Sequence, residues 1–367
     1  MSLETWMAKK RRRDPSWQPD KVVYSLYIDI PQEELDDMPP YKWDNISKSE
    51  RTKLQMNLYF DKLRNAQKEY AKKIGADYFL FRWDEEYAEF HLRMRTLQPT
   101  MSYYDILNFW KVHLFTYLSE HFDKVLYLDF DVIPNTDEDF FEAHDCKNTI
   151  AIAHFINDAI FDVNTERVIA YDIRNPVSKY WNTHAMLHYR SMEYDGLVYN
   201  TAIMGGTSNS IDKLQYFFHF EELLEYMRWL QTDDHSMYPS KIRQGFGFDN
   251  ETVFNYRVNE NKTPMTHLDQ NWHHMIMGST EISPTAKLIH MINKRFDMYW
   301  PEDESVTQPI LVVPAGVKLQ KERVIDTERN WNKPEPKPGA GPERKKKVKK
   351  KVKKKAKKAK KKVSKKK

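Results

Sequence analysis

The sequence predicts an α/β protein: a Rossmann-like, mixed and mostly parallel sheet flanked by helices, with a disordered basic C-terminal tail. Strand-like apolar runs alternate with segments of helical spacing, which makes strand–helix–strand units joined by right-handed crossovers. One such run ends in two aspartates, and strand ends are where α/β sheets place their sites. Residues 344–367 hold Arg344 and 17 lysines but no acid, a charge density that cannot offset the entropy of folding alone.

The elements follow in order. Lys21-Val-Val-Tyr-Ser-Leu-Tyr-Ile28 is the first strand, rich in β-branched and aromatic residues. Apolar residues recur at helical spacing from Ser49 to Ile74, with Gly75 as a stop. A second strand covers residues 76–81, a helix 104–118, and a strand 124–128 that leads into Asp129-Phe130-Asp131. Residues 149–153 read as a strand, 178–188 as a helix, and 196–204 as a strand closed by Gly205 and Gly206. An amphipathic helix over 211–230, a short helix over 250–258 and a last strand over 287–292 complete the series.

Charge divides the chain. Of 58 basic residues, the 18 in 344–367 leave 40 against 53 acids, so the body carries a net −13. An acidic body excludes a domain wrapped on DNA. The single cysteine, Cys146, excludes an internal disulfide. No run approaches the roughly 20 apolar residues of a membrane span, and the first residues have no apolar leader. The expectation is a protein with no signal peptide or transmembrane segment, cytoplasmic in a bacterium or in the host cell of a large virus. The expected divisions are a basic N-terminal extension (1–20), a globular domain (21–305), a C-terminal extension with a Pro/Gly linker (306–343) and the Lys-rich tail (344–367).

The sharpest chemical feature is Leu126-Tyr-Leu-Asp129-Phe130-Asp131, an apolar strand that delivers two carboxylates into a loop. Mg²⁺ or Mn²⁺ prefers oxygen ligands and is typically held by one or two carboxylates plus substrate phosphates. The bland alternative is a capped loop, but acids at the end of a buried run are costly without a partner.

At these residues the sequence resembles the GT-A nucleotide-sugar glycosyltransferases, in particular the glycogenin-like and lipopolysaccharide galactosyltransferase-like group, over roughly residues 21–300. Asn108-Phe-Trp-Lys111 precedes Tyr127-Leu-Asp-Phe-Asp131 as a basic helix precedes the Asp-x-Asp strand in that group. Tyr199-Asn200-Thr201-Ala202 approximates its Phe-Asn-Ser/Ala-Gly strand, Phe248-Asp249-Asn250-Glu251 its acidic loop, and His290 its late histidine. Where the group has Gly and Lys-Pro-Trp, this chain has Met291 to Trp300, including Lys294 and Arg295.

The resemblance implies a GT-A fold and a divalent cation, Mn²⁺ or Mg²⁺, on Asp129, Asp131 and His290. It implies donor contacts from Tyr24, Ser25, Lys111, Asp129, Phe130, Lys294 and Arg295, and catalytic roles for Asp249 and Asn200. The substrates implied are a nucleoside diphosphate sugar and the hydroxyl of a glycan or protein acceptor.

Each residue also has a plainer reading. His290 reads equally as a core histidine, Asp249 as a helix N-cap, Tyr24 as core, and Lys111 as a lysine on a solvated helix face. His273 and His274 read as a solvated loop pair. Paired aspartates also serve metal-dependent nucleotidyltransferases and phosphotransferases, although with 10 glycines in the chain no Gly-rich phosphate loop is visible. The tail is suited to an anionic membrane surface or nucleic acid, which leaves open a binding protein that acts through it.

Overall fold

The computed structural model describes residues 3–31, 48–156, 161–162, 167–168, 177–232, 248–277 and 280–301. Expectations for 306–343 and for the tail lie outside these. All the described residues fall in one compact unit, Met1–Gln308.

The helices are α1 (Leu3–Arg13), α2 (Lys48–Leu58), α3 (Phe60–Lys73), α4 (Glu85–Leu97), α5 (Tyr103–Ser119), α6 (Phe140–Ala143), α7 (Val177–Tyr189), α8 (Ser208–Asp212), α9 (Phe220–Thr232) and α10 (Asn250–Asn261). The strands are β1 (Lys21–Leu26), β2 (Asp77–Phe81), β3 (Lys124–Leu128), β4 (Val132–Pro134), β5 (Ile150–Ile156), β6 (Phe161–Asp162), β7 (Arg167–Val168), β8 (Leu197–Thr207), β9 (Met265–His267), β10 (His274–Met275) and β11 (Leu288–His290). The main sheet runs β2-β1-β3-β8-β5-β9. It is mixed and mostly parallel: β8 alone runs against its two neighbours, β3 and β5. The expected class therefore holds.

Alternation along the central strands explains the helical layers. Val22, Tyr24, Val125 and Tyr127 pack into the cluster that includes α5, whereas Val23, Leu126 and Leu128 pack with Tyr70 and Ala71 of α3. Both faces are covered, as the apolar strands require. Gly205 lies in β8 where a Cβ would come 2.1 Å from the Phe140 ring, so the close packing of α6 on the sheet needs glycine. The strand does not close at Gly205 and Gly206 but continues to Thr207.

Three segments differ from expectation. The helix expected over 49–74 is two helices broken at Tyr59, with exposed Leu54 off the core side. The helix expected over 211–230 is also broken, because Gln215 and His219 take left-handed backbone (φ 47° and 45°) between α8 and α9. Helix α4, capped by the Asp84 carboxylate on the Tyr87 amide, fills a stretch to which no element had been assigned. Within the N-terminal 1–20 segment, α1 buries Leu3 and Met7 and lies against β2 through Trp6–Phe79 and Lys10–Asp77.

Strand β8 carries a bulge. Between Ile152 and Ala153 of β5 the partner moves from Met204 to Asn200. Helix α10 takes the Thr201 amide in this bulge and two amides before it through Glu251, Asn255 and Asn259, which recur every four residues on one helix face. Glu251 accepts the Thr201 amide (2.9 Å), Asn255 the Tyr199 amide (2.9 Å), and Asn259 the Asp195 amide (3.0 Å). A helix so polar and yet buried is explained by this ladder. Asn255→Leu leaves the buried Tyr199 amide without an acceptor and is expected to lower stability by about 1–3 kcal/mol. Urea denaturation checks this, and an unchanged midpoint would contradict it.

Candidate metal and donor site

The site is assembled by two registers. Along β3, alternation carries Asp129 onto the face of Tyr127, where α5 presents Lys111. The Lys111 Nζ lies 3.5 Å from Asp129 Oδ1, with its side chain 4% exposed. Lys111, expected as a donor contact with a solvated helix face as its plainer reading, is thus a buried counter-charge to Asp129. The Tyr127 hydroxyl donates to the same carboxylate oxygen, and burial followed by the Asp129 charge pushes its pKa well above the ordinary phenol value.

The second register belongs to a small sheet, β10-β11-β4. Strand β4 begins directly after Asp131 and pairs antiparallel with β11 so that His290 faces Val132. The Met291 amide then donates to the Asp131 carbonyl (3.0 Å). His290 Nε2 comes 3.5 Å from Asp131 Oδ2 and 4.0 Å from Asp129 Oδ2. Ligand atoms of Asp129, Asp131 and His290 all lie within 4.8 Å of one another. Two carboxylates and one imidazole form a donor set able to hold a divalent metal ion.

Lys294, in left-handed backbone (φ 58°), turns its ammonium onto Asp131. Burial alone would raise the Asp131 pKa; Lys294 and then His290 outweigh burial and hold it well below the ordinary carboxylate range. Arg295 is mostly exposed and bound to the Asp297 carboxylate, so of the two expected cations the structure brings Lys294 to the acids.

Several expected donor contacts are internal instead. Tyr24 and Ser25 are fully buried. The Tyr24 hydroxyl donates to the Lys111 carbonyl (2.6 Å), which fastens α5 to β1. The Ser25 hydroxyl donates to Gln67 Oε1 (2.5 Å). Both therefore support the site from behind, because neither has surface to offer a ligand. Phe130 packs against Tyr27 and Phe60.

Gln67 itself was not expected. Its amide nitrogen donates to the Asp129 carbonyl (3.0 Å) and the Val132 carbonyl (2.9 Å), while its oxygen accepts from Ser25 and Tyr78. All four of its hydrogen-bonding valences are used to hold the Asp-x-Asp turn. The signal was a polar residue at a core position of α3, between Leu63 and Tyr70.

His273 corrects the expected solvated pair. It is buried, and its Nε2 lies 3.0 Å from His290 Nδ1. Burial, followed by the neighbouring His290, pushes its pKa well below the ordinary value. His274 is half-buried and bonded to the Glu281 carbonyl.

The remaining two candidates sit on the β8 bulge and at the start of α10. Asn200 Oδ1 accepts the Ala202 amide (3.1 Å), and the Ala202 carbonyl accepts the Asp129 amide (2.8 Å). Asp249 is an N-cap, accepting the Thr252 amide (2.9 Å) and hydroxyl (2.6 Å).

Residues 40–188 match the sequence profile described as Glycosyl transferase family 8. That stretch contains Lys111, Asp129 and Asp131, and bears out the resemblance read from the motifs. No curated protein matches the chain. Similar solved structures include mouse xyloside xylosyltransferase 1, at 13% identity and a TM-score of 0.39, over 74% of this chain and 98% of that one. A glycosyltransferase involved in glycosylation of the major capsid of PBCV-1 matches at 12% and 0.35, over 77% and 100%. The galactosyltransferase LgtC with donor and acceptor sugar analogues matches at 15% and 0.31, over 74% and 87%. The family match supports a glycosyltransferase. Among the described residues, no helix is long and apolar enough to cross a membrane.

A carboxyl whose folded pKa is lowered contributes stability above its unfolded value, here 3.8, and that contribution is lost as pH falls toward the folded value. Thermal melts of wild type and Asp131→Asn are therefore expected to differ most above about pH 4 and to converge below it. A gap that is constant or widens in acid would contradict this pairing.

Proposed function

We propose that the protein is a divalent-cation-dependent glycosyltransferase that moves a sugar from a nucleoside diphosphate sugar to a hydroxyl of a glycan or protein. The observation that carries the reading is the convergence of Asp129, Asp131 and His290 at the C-terminal edge of β3. A bound Mn²⁺ or Mg²⁺ would supply neutralisation of the charge that develops on the departing diphosphate.

The chain's own groups do the rest. Lys111 and Tyr127 hold Asp129, and Gln67 holds the turn, so the carboxylates are oriented before any ligand arrives. Lys294 is the cation close enough to Asp131 to transfer its contact to a phosphate oxygen. In this reading Asn200, tied to Asp129 through Ala202, and Asp249, at the start of α10, align the acceptor hydroxyl on the anomeric carbon. Positioning of this kind contributes much of the rate in group transfer between two bound substrates. The same reading places the protein in the cytoplasm and gives its Lys-rich tail an anionic membrane surface or nucleic acid as partner.

Calorimetry with a panel of nucleoside diphosphates and their sugars is expected to find one nucleotide bound in the presence of Mn²⁺ and not in its absence. Asp131→Ala should abolish that binding; nucleotide affinity indifferent to both metal and mutation would sink the metal reading. For Asp249, Asn keeps the cap while removing the charge, since the two residues cap equally well. Asp249→Asn is expected to leave the melting temperature unchanged while transfer falls at least about tenfold, the loss of one aligned group. Full activity in that variant would leave Asp249 as a cap only.

A further inference from the structure

We propose that His273 is a positioning residue that sets the orientation and tautomer of His290 toward a cation shared with Asp129 and Asp131. This rests on the metal reading above and deepens it.

His273 lies just before β10, with its amide bonded to the Asp269 carbonyl (2.9 Å). Strand β10 pairs parallel with β11, setting Met275 against His290, so the two rings are placed by the same small sheet that places His290 beside Asp131. The rings are nearly parallel, 23° apart with centroids 5.3 Å apart. His273 Nε2 is 3.0 Å from His290 Nδ1, and the opposite nitrogen of His290 faces the two aspartates.

A neutral imidazole has one N–H and one lone pair. For His290 Nε2 to offer its lone pair to a cation, the proton must sit on Nδ1 and needs an acceptor there. His273 Nε2 is that acceptor. Its own proton must then occupy Nδ1, a buried atom that has no hydrogen-bond partner among the described residues.

With no cation the pair can run in the other sense. His273 Nε2–H donates to His290 Nδ1, and His290 Nε2–H faces Asp131. Loading the site therefore moves a proton from one nitrogen to the other within each ring, and the number of protons on the pair does not change. The unpartnered Nδ1 is explained by this double role: it carries a lone pair in one state and a proton in the other.

The test is direct Mn²⁺ binding by calorimetry, without nucleotide, on wild type, His273→Phe and His273→Gln, each with a thermal melt. His273→Phe should bind Mn²⁺ about 10–100-fold more weakly, the usual loss when a ligand histidine loses its partner. His273→Gln, whose amide oxygen can accept from His290 Nδ1, should recover most of that loss. Wild-type affinity in the Phe variant, or equal losses in both variants with intact melts, would overturn the proposal.

If His273→Phe does not fold, ¹⁵N spectra of the wild-type histidines with and without Mg²⁺ decide the matter. The expected result is that His290 passes from Nε2-protonated to Nδ1-protonated on loading, and His273 with it; unchanged tautomers at saturating Mg²⁺ would overturn it. Wild type that binds no divalent cation at all would instead overturn the metal reading, and this proposal with it.

Discussion

The fold depends on neutralising two carboxylates at the end of a buried strand. Asp131 is 3% exposed, and a charge so far from water is tolerated only with partners close at hand. His290, at the end of β11, and Lys294, in the turn after it, serve Asp131, and Lys111 of α5 serves Asp129. Two separate parts of the chain are thus tied to one turn. The same arrangement that satisfies the acids leaves two oxygens and one nitrogen facing a common point, which is how a structural necessity becomes a ligand set.

The surrounding structure serves that turn in layers. Gln67 grips its carbonyls from α3, and Ser25 and Tyr78 grip Gln67 from the two flanking strands. On the other side, α10 secures the β8 bulge, and the bulge in turn accepts the Asp129 amide. Buried polar networks of this kind are stable only when every member is satisfied. Here the polar face of α10 satisfies the amides of Thr201 and Tyr199 in β8 and of Asp195 just before it.

Much of this was legible in the sequence because the strand runs are apolar and the acids interrupt them sharply. Asp129, Asp131 and His290 could be placed from strand ends and from the order of motifs. What escaped depends on partners distant in sequence. The burial of Lys111 follows from Asp129 across 18 residues, and that of His273 from a two-residue strand that no periodicity reveals. The resemblance implies donor contacts from Tyr24 and Ser25 at the end of the first strand, yet helix α5 and Gln67 cover them. The broken helices at Tyr59 and at Gln215 to His219 kept helical spacing on both sides of a break, so spacing alone joined what the backbone divides.

The central claim is that one cation is shared by Asp129, Asp131 and His290 beneath a nucleoside diphosphate. Anomalous diffraction from crystals grown with Mn²⁺ and the nucleotide that binds tests it most directly. The account predicts a single Mn²⁺ peak about 2.0–2.3 Å from an oxygen of each aspartate and from His290 Nε2, with the diphosphate completing the shell. Bound nucleotide with no Mn²⁺ peak between these residues, or with the peak on other ligands, would contradict it.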